Sequence, residues 1–122
     1  MARRVFAGRG RFHTPDSEFA PGFTVHKVGG HSRGLQVVRV ETDEGALVLA
    51  SDAAHFYANM ERGKPFPVFD RLSDVLFGVE RMRKLASSDA HIVPGHDPLV
   101  RRRFSCVRAD GDDIVELSRP LR

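Results

Sequence analysis

Phe23-Thr24-Val25-His26-Lys27-Val28-Gly29-Gly30-His31-Ser32-Arg33-Gly34 is the stretch whose reading decides the fold. Phe23 to Val28 alternates with period two, the pattern of a half-buried strand. Two glycines end that strand and allow a sharp turn, which aims His31 into the space beyond the sheet edge. The same device recurs twice downstream. Leu47-Val48-Leu49-Ala50-Ser51 is an apolar strand closed by Asp52-Ala53, and Ala90-His91-Ile92-Val93-Pro94 is a short buried strand closed by Gly95-His96-Asp97. Each segment alone has a plain structural reading: a histidine holding a turn, or an aspartate capping a helix. Each also suits a metal, since neutral imidazole and carboxylate ligate Zn, Fe, Mn or Co.

Between these points the chain is readable in outline. Leu35 to Thr42 and Ala46 to Ser51 are valine- and leucine-rich strands joined by the Thr42-Asp43-Glu44-Gly45 hairpin, which predicts a three-stranded meander. Gly63-Lys64-Pro65-Phe66-Pro67 is a loop, because two prolines so close disfavour helix and central strand alike. Leu72, Val75, Leu76, Val79, Met82 and Leu85 recur at helical spacing, with Asp70 or Ser73 available as an N-cap. Ile114 to Leu117 reads as an edge strand after the Asp110-Gly111-Asp112 turn.

The 122 residues suffice for one core. Residues 1–18 are Arg- and Gly-rich without periodicity and are expected to form a flexible basic arm, leaving 19–122 as the folded unit. The net charge of +3 comes from clusters at Arg3, Arg4, Arg9 and Arg11 and at Arg101, Arg102 and Arg103. No basic face interleaved with aromatics accompanies them, which argues against a nucleic-acid module. No apolar run is long enough for a membrane span, and no apolar stretch of a secretory signal follows Met1. Cys106 is the single cysteine, so disulfides and Cys-based zinc sites are excluded within the chain. A cytoplasmic location is the expectation.

Taken in order, strand-Gly-His-Ser, hairpin, strand-Ser-Asp-Ala, helix, strand-Gly-His-Asp resembles the C-terminal half of the metallo-β-lactamase-fold hydrolases. It is most similar to their N-acyl homoserine lactonase-like branch. The resemblance is carried by Pro21 to Ser32, Leu49 to Ala53 and His91 to Asp97, and spans roughly residues 20 to 104. It implies an α/β fold: half of an αβ/βα sandwich, with a mostly antiparallel sheet and packed helices. It also implies that His31 binds one metal, that Asp52 bridges two, and that His96 binds the second. The metals would be divalent, with zinc first and Fe, Mn or Co as alternatives. The implied activity is lactone or ester hydrolysis by a dinuclear-metal hydroxide. The branch often places a tyrosine shortly after the bridging aspartate; here His55 holds that position, with Tyr57 two residues on, and both are candidates for contact with substrate.

The superfamily's H-x-H-x-D-H motif is missing. The histidines are His13, His26, His31, His55, His91 and His96; no two are one residue apart, and no Asp-His pair occurs. One His and a shared Asp per metal fall short of the three protein ligands usual at a catalytic zinc. The lone chain is therefore expected to be inactive, a truncated chain whose sheet face needs a homo-oligomer or a partner chain supplying the other half. The alternative is a non-catalytic remnant acting as an oligomeric interaction module.

Overall fold

The computed structural model describes residues 7–10, 12, 13, 15–109 and 112–121. Part of the expected basic arm (1–6, 11 and 14) and the Asp110-Gly111 turn lie outside the described residues. The elements run β1 (Ser17–Ala20), β2 (Phe23–Lys27), β3 (Gln36–Thr42), β4 (Gly45–Ser51), α1 (Tyr57–Glu61), α2 (Leu72–Leu85), a 3-10 turn (Asp89–His91), β5 (Ile92–Pro94), α3 (Val100–Arg103), β6 (Phe104–Ala109) and β7 (Asp112–Pro120).

β1 to β5 form one sheet in sequence order, antiparallel up to β4, while β5 pairs parallel to β4. A parallel pair needs a crossover, and the segment carrying α1, the proline loop and α2 supplies it. This topology decides where the three strand-end signals go. β2, β4 and β5 all point the same way, because β2 and β4 are each antiparallel to β3 and β5 is parallel to β4. The residues that follow these three strands therefore gather at one edge of the sheet.

Alternation puts Val37, Val48 and Ala50 on one face, where they pack with Ile92, Met82 of α2, Val28 and Tyr57. The opposite face is covered in part by the β6–β7 hairpin, through a second cluster of Leu47, Val93 and Phe104 with Val40, Leu49, Val115 and Leu117 around it. That hairpin pairs strands over Phe104–Ala109 and Asp112–Pro120, far beyond the short edge strand read from Ile114 to Leu117. Coverage stops short of β1 and β2, where Phe19 and Phe23 remain 45% and 40% exposed with their rings 6.0 Å apart.

Several expectations change. The sheet starts at Ser17, inside the segment read as arm, and Asp16 just before it bonds His26 and Arg81. α1 is an additional element; its five residues are too few for helical periodicity to show. The start of α2 is not capped by Asp70 or Ser73. Arg71 is the N-cap and makes no side-chain cap bond, while the Gly30 carbonyl accepts from the Asp70 and Arg71 N–H groups at 2.8 and 3.2 Å. Gly30 has φ +90, and a Cβ there would lie 2.8–3.0 Å from Val75, so only glycine lets the turn after β2 run this close to α2. Asp70 instead pairs with Arg33 at 3.2 Å. The apolar stripe of α2 is not uniformly buried either. Met82 is fully buried, but Leu72 and Leu76 are exposed by nearly half, and Leu76 lines a cavity together with Val75 and Val79. No helix among the described residues is long and apolar enough to cross a membrane.

Candidate metal centre

At the shared edge of β2, β4 and β5, Asp52, His55 and His96 each bring one ligand-type atom within 4.8 Å of the other two. Asp52 Oδ1 is the hub: it accepts from His96 Nε2 at 2.8 Å, and His55 Nε2 lies 3.6 Å away. The hydrogen bond from His96, foremost, holds the Asp52 carboxyl below its usual 3.8, with burial opposing and the neighbouring histidines assisting. Asp52 is thus a carboxylate at neutral pH and not a helix cap.

His55 is packed between two rings. It stacks on Phe66 at 4.0 Å and 16°, and on His96 at 4.9 Å and 23°. Its side chain is only 12% exposed, and burial lowers its pKa from the usual 6.5 against the opposing pull of Asp52, favouring neutral imidazole. His96 is more than half exposed and is placed by backbone bonds: Gly95 N–H donates to Ala54 O at 2.9 Å and His96 N–H to His55 O at 3.0 Å. Asp97 accepts from the Tyr57 and Leu99 N–H groups, both at 2.9 Å, and so holds the start of α1 and the turn before α3.

His31 stands beside this cluster, its ring 5.6 Å from that of His55. Its Nδ1 donates to the Val68 carbonyl at 3.0 Å, which in the neutral ring leaves Nε2 as a free lone pair. A histidine fixed in this tautomer by a carbonyl is the usual arrangement for a ligand. The donor set of imidazoles and carboxylate, with one tautomer already fixed, fits a divalent cation.

The two substrate-contact candidates part company. His55 lines a cavity of about 180 Å³ together with His31 and Asp52, walled by Met60, Phe66, Val68 and Val79. Tyr57 is not brought there. It is 2% exposed in the core, with the Arg103 guanidinium 3.8 Å above its ring and no hydrogen-bond partner for its hydroxyl. Burial, chiefly, pushes that hydroxyl up to about 12. Phe66 and Val68 of the proline loop are site residues that sequence reasoning missed, since only the crossover path shows that the loop folds over the strand ends.

No protein-family model matches the chain. The chain is 31% identical over 93 residues to an N-acyl homoserine lactonase of Bacillus thuringiensis, a match covering 75% of this chain and 36% of that protein. Against an N-acyl homoserine lactonase of Bacillus cereus it is 34% identical over 84 residues, 67% of this chain and 33% of the relative. The fold superimposes with a TM-score of 0.67 and 25% identity on an N-acyl homoserine lactone hydrolase solved with N-hexanoyl-L-homoserine at its catalytic metal centre, covering 85% of this chain and 41% of that one. The chain has the fold of the metallo-β-lactamase-fold lactonases, and its relatives in sequence are N-acyl homoserine lactonases. It spans about a third of the length of the curated relatives it matches.

Proposed function

We propose that this chain carries the strand-end part of a metal-dependent lactone- or ester-hydrolysing site, completed by a partner surface. The observation that carries the reading is the convergence of Asp52, His55 and His96, with His31 beside them, at the mouth of a largely apolar cavity. His31, Asp52 and His96 would hold the metal or metals. A divalent cation bound there supplies Lewis acidity and activates water at neutral pH. The chain's own side chains do the rest. Val68 O orients His31, His96 keeps Asp52 ionised, and the Phe66–His55 stack shields one side of the centre from solvent. The cavity of about 180 Å³ is comparable to the ~150 Å³ apolar space that accommodates benzene, so it suits a short acyl chain rather than a long one.

The open Phe19 and Phe23 corner of the sheet supports a second copy or a partner chain packing against that face. A cytoplasmic setting belongs to the same reading. In the test, the zinc-loaded chain is offered N-hexanoyl-homoserine lactone and, separately, the ring-opened N-hexanoyl-homoserine. We expect no turnover above background from the chain alone, but zinc-dependent binding of the ring-opened compound that Asp52→Asn abolishes. Binding of neither compound with zinc present refutes the hydrolase reading and favours the non-catalytic interaction module; turnover by the lone chain refutes its incompleteness.

A further inference from the structure

We propose that this chain builds a one-metal site of its own from Asp52, His55 and His96, with His55 as the third ligand. The inference rests on the reading above in taking the strand ends as a metal centre, and differs from it in ligand set and count. Divided over two ions, His31, Asp52 and His96 give each only one histidine and a shared carboxylate. A catalytic zinc takes three protein ligands and keeps a fourth position open. Adding His55 meets that count for a single ion.

The geometry favours this set. Zinc bonded at 2.0–2.2 Å in tetrahedral array spaces its ligand atoms roughly 3.3–3.5 Å apart. The two distances to Asp52 Oδ1, 2.8 Å from His96 and 3.6 Å from His55, lie on either side of that spacing. An ion held by this set would displace the proton that His96 donates to Asp52. Because the two imidazoles are stacked, one must turn to direct its lone pair inward. His96 is the one free to do so, being more than half exposed, whereas Phe66 pins His55. His31 stays outside the group of converging atoms and is tied through Nδ1 to the proline loop at Val68. His55 is therefore a ligand in this chain where the branch it resembles often carries a tyrosine.

Zinc titration of the full 122-residue chain, by calorimetry with metal analysis after dialysis, tests this. One equivalent is expected. His55→Phe, which keeps an aromatic ring against Phe66, should weaken binding at least tenfold, and His96→Ala likewise, while His13→Ala, at an exposed histidine away from the strand ends, changes affinity less than threefold. Far-UV circular dichroism of each variant separates ligand loss from unfolding, and the visible spectrum of the cobalt-loaded chain reports whether His55 reaches the ion. Two equivalents dependent on His31, or unchanged affinity and an unchanged cobalt spectrum in a folded His55→Phe, overturn the one-metal site and leave the hydrolase reading standing. Absence of metal binding overturns both.

Discussion

Gly95 sets the position of His96, and replacing it by alanine should damage the site and the fold together. A Cβ at Gly95 would lie 2.6 Å from the Ser51 carbonyl oxygen, 2.8 Å from its carbon and 3.0 Å from its Cα. All three are backbone atoms, so no side chain can swing aside. Ordinary contact begins at 3.4 Å, so the ends of β4 and β5 must part by 3.4 − 2.6 = 0.8 Å. The Gly95-to-Ala54 and His96-to-His55 hydrogen bonds tie the same segments and resist that opening. Overpacking of this kind costs about 1–3 kcal/mol. For a chain of this size, 2 kcal/mol corresponds to a fall in Tm of roughly 5–10 °C. The displacement also exceeds the roughly 0.2 Å tolerance of metal–ligand distances, so zinc affinity should drop with it. Thermal unfolding followed by circular dichroism, run beside Gly34→Ala, is the assay. A Cβ at Gly34 meets nothing within 4 Å, so that control should stay within about 2 °C of the parent. If Gly95→Ala matches the control in Tm and in zinc affinity, the close approach of the two strand ends is not what positions His96.

Two further predictions concern residues away from the cluster. The Tyr57 hydroxyl is buried without a partner, so Tyr57→Phe should leave stability within about 0.5 kcal/mol or raise it; a loss above 1 kcal/mol in urea unfolding would mean that the hydroxyl has a partner after all. Asp16 is held below its usual 3.8, mainly by hydrogen bonds from Arg81 and then His26. A depressed carboxyl contributes stability that is present above pH 3.8 and lost as pH falls through its folded value. Asp16→Asn should accordingly lower the Tm at pH 6 and make no difference at pH 2. Equal Tm values for the two proteins at pH 6 would show that this contact does not tie β1 to α2.

Much of the fold is legible in the chain because its elements obey simple periods. β2 alternates, β3 and β4 are valine- and leucine-rich runs joined by a hairpin signal, α2 carries a helical stripe, and the prolines of the 63–67 loop admit no regular structure. What escaped depends on partners remote in sequence. β6 and β7 bury Phe104, Val115 and Leu117 against the far side of the sheet, a contact that no local pattern announces. The cap of α2 is missed because the acceptor is a backbone carbonyl at Gly30, forty residues or so upstream, rather than a side chain beside the helix.

The centre divides along the same line. His31, Asp52 and His96 are singled out by sequence alone, since each follows a strand and two of them follow glycine. That they meet is a property of strand direction: β2, β4 and β5 run the same way, and the crossover through α2 brings β5 alongside β4. Only the tertiary structure joins His55 to Asp52 and His96, stacks it on Phe66 and withdraws Tyr57 into the core. His55 and Tyr57 are two residues apart, and no spacing rule says which of them faces the site. The start of α1 decides it, where Asp97 fixes the Tyr57 N–H and the ring turns inward beneath Arg103.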